Sequence, residues 1–83
     1  INVEKKLSDT LSESYVSSAQ NRELCVFKVL PGSGPAVANL IEQAKYPEVF
    51  ATLGDDATVM IFAYSEEDAI KMENKLLNLI NIG

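Results

Sequence analysis

Val3, Leu7 and Leu11 recur every four residues with charged neighbours between them, which predicts a short amphipathic helix over roughly residues 2–13. Serine-rich sequence ends it. Tyr15 and Val16 then predict a strand, and Gln20-Asn21-Arg22-Glu23 a polar turn. Residues 24–30 are β-branched, aromatic and otherwise apolar, with Lys28 the one charged member. Such a run reads as a mostly buried strand that pairs with the Tyr15 segment. Pro31-Gly32-Ser33-Gly34-Pro35 must be a loop, since two prolines and two glycines cannot continue a ladder.

Val37, Leu40, Ile41 and Ala44 follow the i, i+3, i+4, i+7 template, so a helix is expected over residues 35–44. Pro35 suits its first turn, and Tyr46-Pro47 ends it. Residues 49–53 read as a strand, Gly54-Asp55-Asp56 as a turn, and residues 58–64 as the returning strand. Ser65 is an N-cap followed by Glu66, Glu67 and Asp68, acids that the helix dipole favours in a first turn. Ala69, Met72, Leu76 and Leu79 give the last helix its apolar stripe. The order is α-β-β-α-β-β-α. It predicts an α+β fold: a four-stranded antiparallel sheet of two hairpins, two main helices on one face, and a short N-terminal helix.

Composition sharpens this picture in three places. Apolar residues are 47% of the 83, a large share for a small domain, which points to apolar surface hidden against other subunits. The net charge is −5, and the seven basic residues are scattered among twelve acids, so a DNA-binding stripe is not expected here. An acidic surface fits a small cation better. One cysteine, Cys25, sits in an apolar strand as a buried, inert thiol, and histidine is absent. With no membrane-length apolar stretch and no signal peptide, a cytoplasmic setting is the expectation. The chain opens at Ile1 within what reads as a helix, as a trimmed piece of a longer protein would.

Little in the chain carries catalytic chemistry. The glycine-rich loop lacks both the Gly-Lys-Ser/Thr ending of a phosphate loop and the spacing of a dinucleotide site, so it reads as a connector. Asp55 and Asp56, taken alone, are ordinary turn formers. As an acid/base or metal pair they would need a turn to converge, because adjacent strand residues point to opposite faces. No enzyme and no metal or other cofactor is expected. A regulatory amino-acid-binding module of another kind would show strand-helix-strand crossovers instead of adjacent hairpins.

Leu30-Pro31-Gly32 and Gly54-Asp55-Asp56, with the spacing between them, resemble the C-terminal domain of bacterial arginine repressors. That family shows Lys-Thr-x-Pro-Gly, Ala-Gln, a helix, then Gly-Thr-Ile-x-Gly-Asp-Asp-Thr and an apolar strand. The counterparts here are Lys28-Val29-Leu30-Pro31-Gly32, Gly34-Pro35 and Ala51-Thr52-Leu53-Gly54-Asp55-Asp56-Ala57-Thr58, and the resemblance runs from Leu24 to Ile80. It implies a trimer that stacks into a hexamer, with L-arginine between trimers and paired aspartates on its cationic groups. It also implies a winged-helix domain preceding this chain, through which alone operator DNA would be bound. A guanidinium's planar fork suits a carboxylate that accepts two bonds in parallel.

Carried over without gaps, the resemblance puts the family's first motif aspartate on Asp56 and its second on Ala57, with Asp55 at the glycine. The family's helix aspartate becomes Glu42, and its ligand-contacting glutamine becomes Pro35. Thr52 and Thr58 match. A shifted register instead aligns Gly54-Asp55-Asp56 with Gly-Asp-Asp, at the expense of a bulge at Ala57. The implied ligand residues are thus Asp56, Asp55, Glu42 and Thr52. Members lacking the aspartate pair act as oligomerisation modules in mixed regulation, the alternative implied for this chain.

Overall fold

The computed structural model describes residues 2–82. Helix α1 spans Val3–Ser14, strands β1 and β2 span Tyr15–Asn21 and Leu24–Val29, and helix α2 spans Gly34–Ala44. Strands β3 and β4 span Val49–Asp55 and Thr58–Ala63, and helix α3 spans Glu66–Leu79. The helix expected over roughly residues 2–13 runs from Val3 to Ser14. Asn2 caps it, its Oδ1 accepting from the Lys5 N–H at 3.0 Å. Ile1 itself lies outside the described residues.

The four strands form one sheet in the order β1-β2-β4-β3, every neighbouring pair antiparallel. Two hairpins therefore lie side by side, joined through β2 and β4, and the expected α+β architecture is what forms. Alternation along the strands sorts residues onto two faces. Cys25, Phe27 and Val29 of β2 and Val59, Ile61 and Ala63 of β4 are buried. All but Ala63 join Val37 and Ile41 of α2, Met72 and Leu76 of α3, and Leu7 and Leu11 of α1 in one buried core. Removing a side chain such as Leu76 or Phe27 from water contributes about 1.5–3 kcal/mol, so this layer is what holds the domain together.

Boundaries moved where backbone pairing outran the hydrophobic pattern. Strand β1 continues to Asn21, leaving only Arg22 and Glu23 in the first turn, with Arg22 at φ 54°. Strand β3 continues through Gly54 and Asp55, so the second turn is Asp56-Ala57 and begins two residues later than expected. The ladder runs evenly from Ala51 to Asp55 against Thr58 to Phe62, and β3's irregularity lies between Val49 and Ala51. The bulge that a shifted register required at Ala57 is absent.

Candidate functional site

The second turn is built by the chain that follows the first hairpin. The Asp56 carbonyl oxygen accepts from Gly32 N–H at 2.9 Å and from Gly34 N–H at 3.0 Å, and the Ala57 carbonyl from Val29 N–H at 2.9 Å. Gly34 opens α2, so this carbonyl sits at the positive end of the helix. The approach is too close for side chains. A Cβ on Gly34 would collide with the Asp55 carbonyl, and one on Gly54 would stand 2.6 Å from both the Ala38 Cβ and the Gly34 carbonyl oxygen. Gly32 has φ +92°, a conformation open to glycine. Two glycines of the loop and one of β3 thus press the turn flush against α2.

The carboxylates are left free by this arrangement. Asp55 and Asp56 are exposed, and among the described residues neither makes an ion pair. Asp55 lies directly opposite Thr58 on the sheet face that no helix covers. There Leu53, Gly54, Asp55, Thr58 and Met60 line a shallow depression of about 410 Å³. Asp56 projects from the turn itself.

The other residues implied as ligands are not gathered here. Thr52 faces the helices, opposite buried Ile61, and its Oγ1 is buried without a hydrogen-bond partner among the described residues. Glu42 is exposed near the far end of α2, about 12 Å along the axis from Gly34 at 1.5 Å per residue. It borders a different cleft of about 290 Å³ together with Lys45, Phe50 and Tyr64. Asp55 and Asp56 meet at one place, and Thr52 and Glu42 lie apart from it within a single chain. Pro35, in the first turn of α2, is exposed and has no donor to offer.

Sequence reasoning missed Gly34 and Gly54 as the residues that seat the turn. The Gly-Ser-Gly-Pro stretch marked a loop, but nothing in it named the partner. It also missed a polar knot where α1, the α2–β3 connection and α3 meet. Glu48 Oε2 accepts from Lys75 Nζ at 2.7 Å, the Lys75 ammonium lies 5.4 Å from the Tyr46 ring centre, and Tyr46 Oη donates to Glu4 at 3.2 Å. The hydrogen bond from Lys75 holds the Glu48 carboxyl below its ordinary range. Burial, then the charge of Glu4, pushes the Tyr46 hydroxyl up to about 12. Burial, with Glu73 adding repulsion, pushes the Cys25 thiol up to about 12 as well, so the thiolate is scarce at neutral pH. Among the described residues no group of three or more His, Cys, Asp or Glu side chains is placed to hold a metal ion. No described helix is long and apolar enough to cross a membrane.

Comparison with known proteins agrees with the sequence pattern. The family described as "Arginine repressor, C-terminal domain" matches residues 11–78. The arginine repressor of Lactiplantibacillus plantarum is 44% identical over 81 residues, 98% of this chain and 53% of that protein. The arginine repressor of Acetivibrio thermocellus is 39% identical over 74 residues, 89% and 48% of the two chains. That of an Exiguobacterium species is 35% identical over 75 residues, 90% and 50%. The chain spans about half the length of the curated relatives it matches.

Proposed function

This chain belongs to the arginine repressor family, and we propose that it is the effector-sensing and self-assembly domain of an arginine-responsive transcriptional regulator of arginine metabolism. It works in the cytoplasm and binds L-arginine between copies, and operator DNA is held only by a winged-helix domain elsewhere in the full protein. The observation that carries this reading is the clamped turn. Its backbone is fixed at two N–H groups of the α2 loop, while among the described residues the carboxylates of Asp56 and of Asp55, the last residue of β3, form no ion pair. A preorganised acidic turn meets a guanidinium or ammonium without first ordering itself. Asp56 is the main contact and Asp55 assists. Thr52 and Glu42 take part only where a neighbouring copy brings them near.

Self-association follows from the sheet's open face. Leu53 is 62% exposed there, and half-exposed Met60 and Phe62 stand beside it. A trimer that pairs into a hexamer covers this surface, and a bound cation offsets repulsion between subunits of net charge −5.

Affinity for arginine is expected to be reduced. Each lost charge-assisted hydrogen bond costs about 1.5–3 kcal/mol, and Pro35 and Ala57 remove two partners that the family offers. Titration with L-arginine by calorimetry, alongside Asp56→Ala, is the test. Weak binding abolished by Asp56→Ala supports the reading, and tight binding that survives the substitution refutes it. No heat up to millimolar arginine favours the second reading, an oligomerisation module that does not sense arginine. Pro35 and Ala57 are the observation behind that alternative.

A further inference from the structure

The two hairpins repeat each other position by position. Tyr15 and Val49 open their first strands, and Leu24 and Thr58 their returning strands. An irregularity follows Tyr15 in one and Val49 in the other. Arg22-Glu23 and Asp56-Ala57 are therefore equivalent tips. Each gives its second carbonyl to the other hairpin, Glu23 accepting from Ala63 N–H at 2.8 Å and Ala57 from Val29 N–H at 2.9 Å. Among the described residues only the second tip also grips a helix start, through the Asp56 carbonyl and the Gly32 and Gly34 N–H groups. The Arg22 carbonyl accepts from the Gln20 side chain instead, and α3 is capped by its own Ser65.

The far end of α2 is held as well. The chain leaves the helix at Lys45 in the left-handed region, φ 54° and ψ 47°, and Tyr46 Oη donates to Glu4 Oε2 in the first turn of α1 at 3.2 Å. We propose that α2 is a rigid link through which the start of α1 follows the acidic tip, with Tyr46 as the positioning residue at its far end. Its 11 residues carry a shift over about 16 Å. There is no slack at the tip: a Cβ on Gly34 would meet the Asp55 carbonyl, and one on Gly54 would stand 2.6 Å from the Ala38 Cβ. A tip packed this closely moves α2 when it moves. Leu7 and Leu11 of α1 share the core with Leu40 and Ile41 of α2, so the two helices shift as neighbours. A cation that binds one position of the tip more tightly than another displaces the link by that difference in affinity. Helix α3, capped locally, has no such connection at its start.

The inference rests on the effector-sensing part of the proposed function for its ligand, and a comparison without ligand separates the two. Amide hydrogen exchange is followed by NMR in the wild type, Tyr46→Phe, Gly54→Ala and the double variant. Tyr46→Phe removes the bond to Glu4 and keeps a ring beneath the Lys75 ammonium. Rates at Leu7 and Ser8 of α1 are taken relative to Ala69 and Met72 of α3, so that a general loss of stability cancels. Each single variant is expected to raise that ratio about three- to tenfold, as the loss of one ordinary hydrogen bond does, and the double variant to raise it no further. Gly54→Ala leaving the ratio at the wild-type value, or effects that multiply in the double variant, overturns the link. Ala38→Ser, a smaller intrusion on the same contact, replaces Gly54→Ala if circular dichroism shows it unfolded. L-Arginine at millimolar concentration is then added, with calorimetry alongside. Equal affinity in wild type and Tyr46→Phe, with α1 exchange altered only in the wild type, supports the link. Binding that leaves α1 of the wild type unmoved overturns it. Absence of binding overturns the effector-sensing reading, and the ligand-free comparison still decides the link.

Discussion

The molecule makes a hairpin followed by a helix twice, and the two helices begin by different means. Helix α3 begins from its own sequence. The Ser65 side chain accepts from the Asp68 N–H at 3.1 Å, and Glu66, Glu67 and Asp68 fill the first turn. Helix α2 begins from its neighbour. Ser33 sits in the cap position with φ −91° and ψ −14° and makes no side-chain bond, while the Gly34 N–H is taken by the Asp56 carbonyl. A locally capped helix is indifferent to what lies beside it. A helix capped by a turn 22 positions downstream ties the first hairpin's loop to the second hairpin's tip. The difference shows where function sits: the tip that carries the free carboxylates is the one made rigid from outside.

The largest expected effect breaks that tie. Gly34→Ala places a methyl group in the Asp55 carbonyl, and backbone on both sides leaves no room to yield. A cost of about 3 kcal/mol is expected, seen as a fall in melting temperature of roughly 15 °C. A melt within a few degrees of the wild type would show that the turn is not seated on α2.

Caps sharpen the comparison at a smaller scale. Ser65→Ala should cost about 1 kcal/mol in urea unfolding, the usual loss of an N-cap. Ser33→Ala should cost no more than a few tenths, because its hydroxyl caps nothing. Equal losses at both positions would erase the distinction between the two starts.

The smallest effect concerns the link between the units, where Lys75 of α3 holds Glu48 ahead of β3. The Glu48 carboxyl is depressed by the Lys75 hydrogen bond, so its charged form is favoured in the fold. The stability it adds is complete above the ordinary glutamate value of about 4.3 and is lost as pH falls through the lower folded value. The Lys75 side chain is 43% exposed, so solvent screens the pair and the gain is small. Unfolding compared between wild type and Glu48→Gln from pH 7 to pH 3 should show a wild-type advantage that fades below that range. An advantage that grows on acidification would contradict the assignment.

By itself the sequence determined the elements, their order and the buried face. Periodicity is a local property: Val37, Leu40 and Ile41 share a helix face, and Cys25, Phe27 and Val29 a strand face, whatever surrounds them. The caps of α1 and α3 are equally local, being set by a side chain and a backbone N–H three residues on. Asp55 and Asp56 were legible as a turn-borne acidic pair. Only the tertiary structure decided which of them lies in the strand, that the turn is Asp56-Ala57, and that Glu42 and Thr52 stand away from both. A strand ends where its last partner ends, and Asp55 stays in β3 because Thr58 of β4 is there to pair with it. The clamp on Asp56 and the bond from Tyr46 to Glu4 depend on residues far apart in the chain, which hydrophobic alternation leaves unspecified. The close packing that makes Gly34 and Gly54 necessary exists only once α2 has come down on β3.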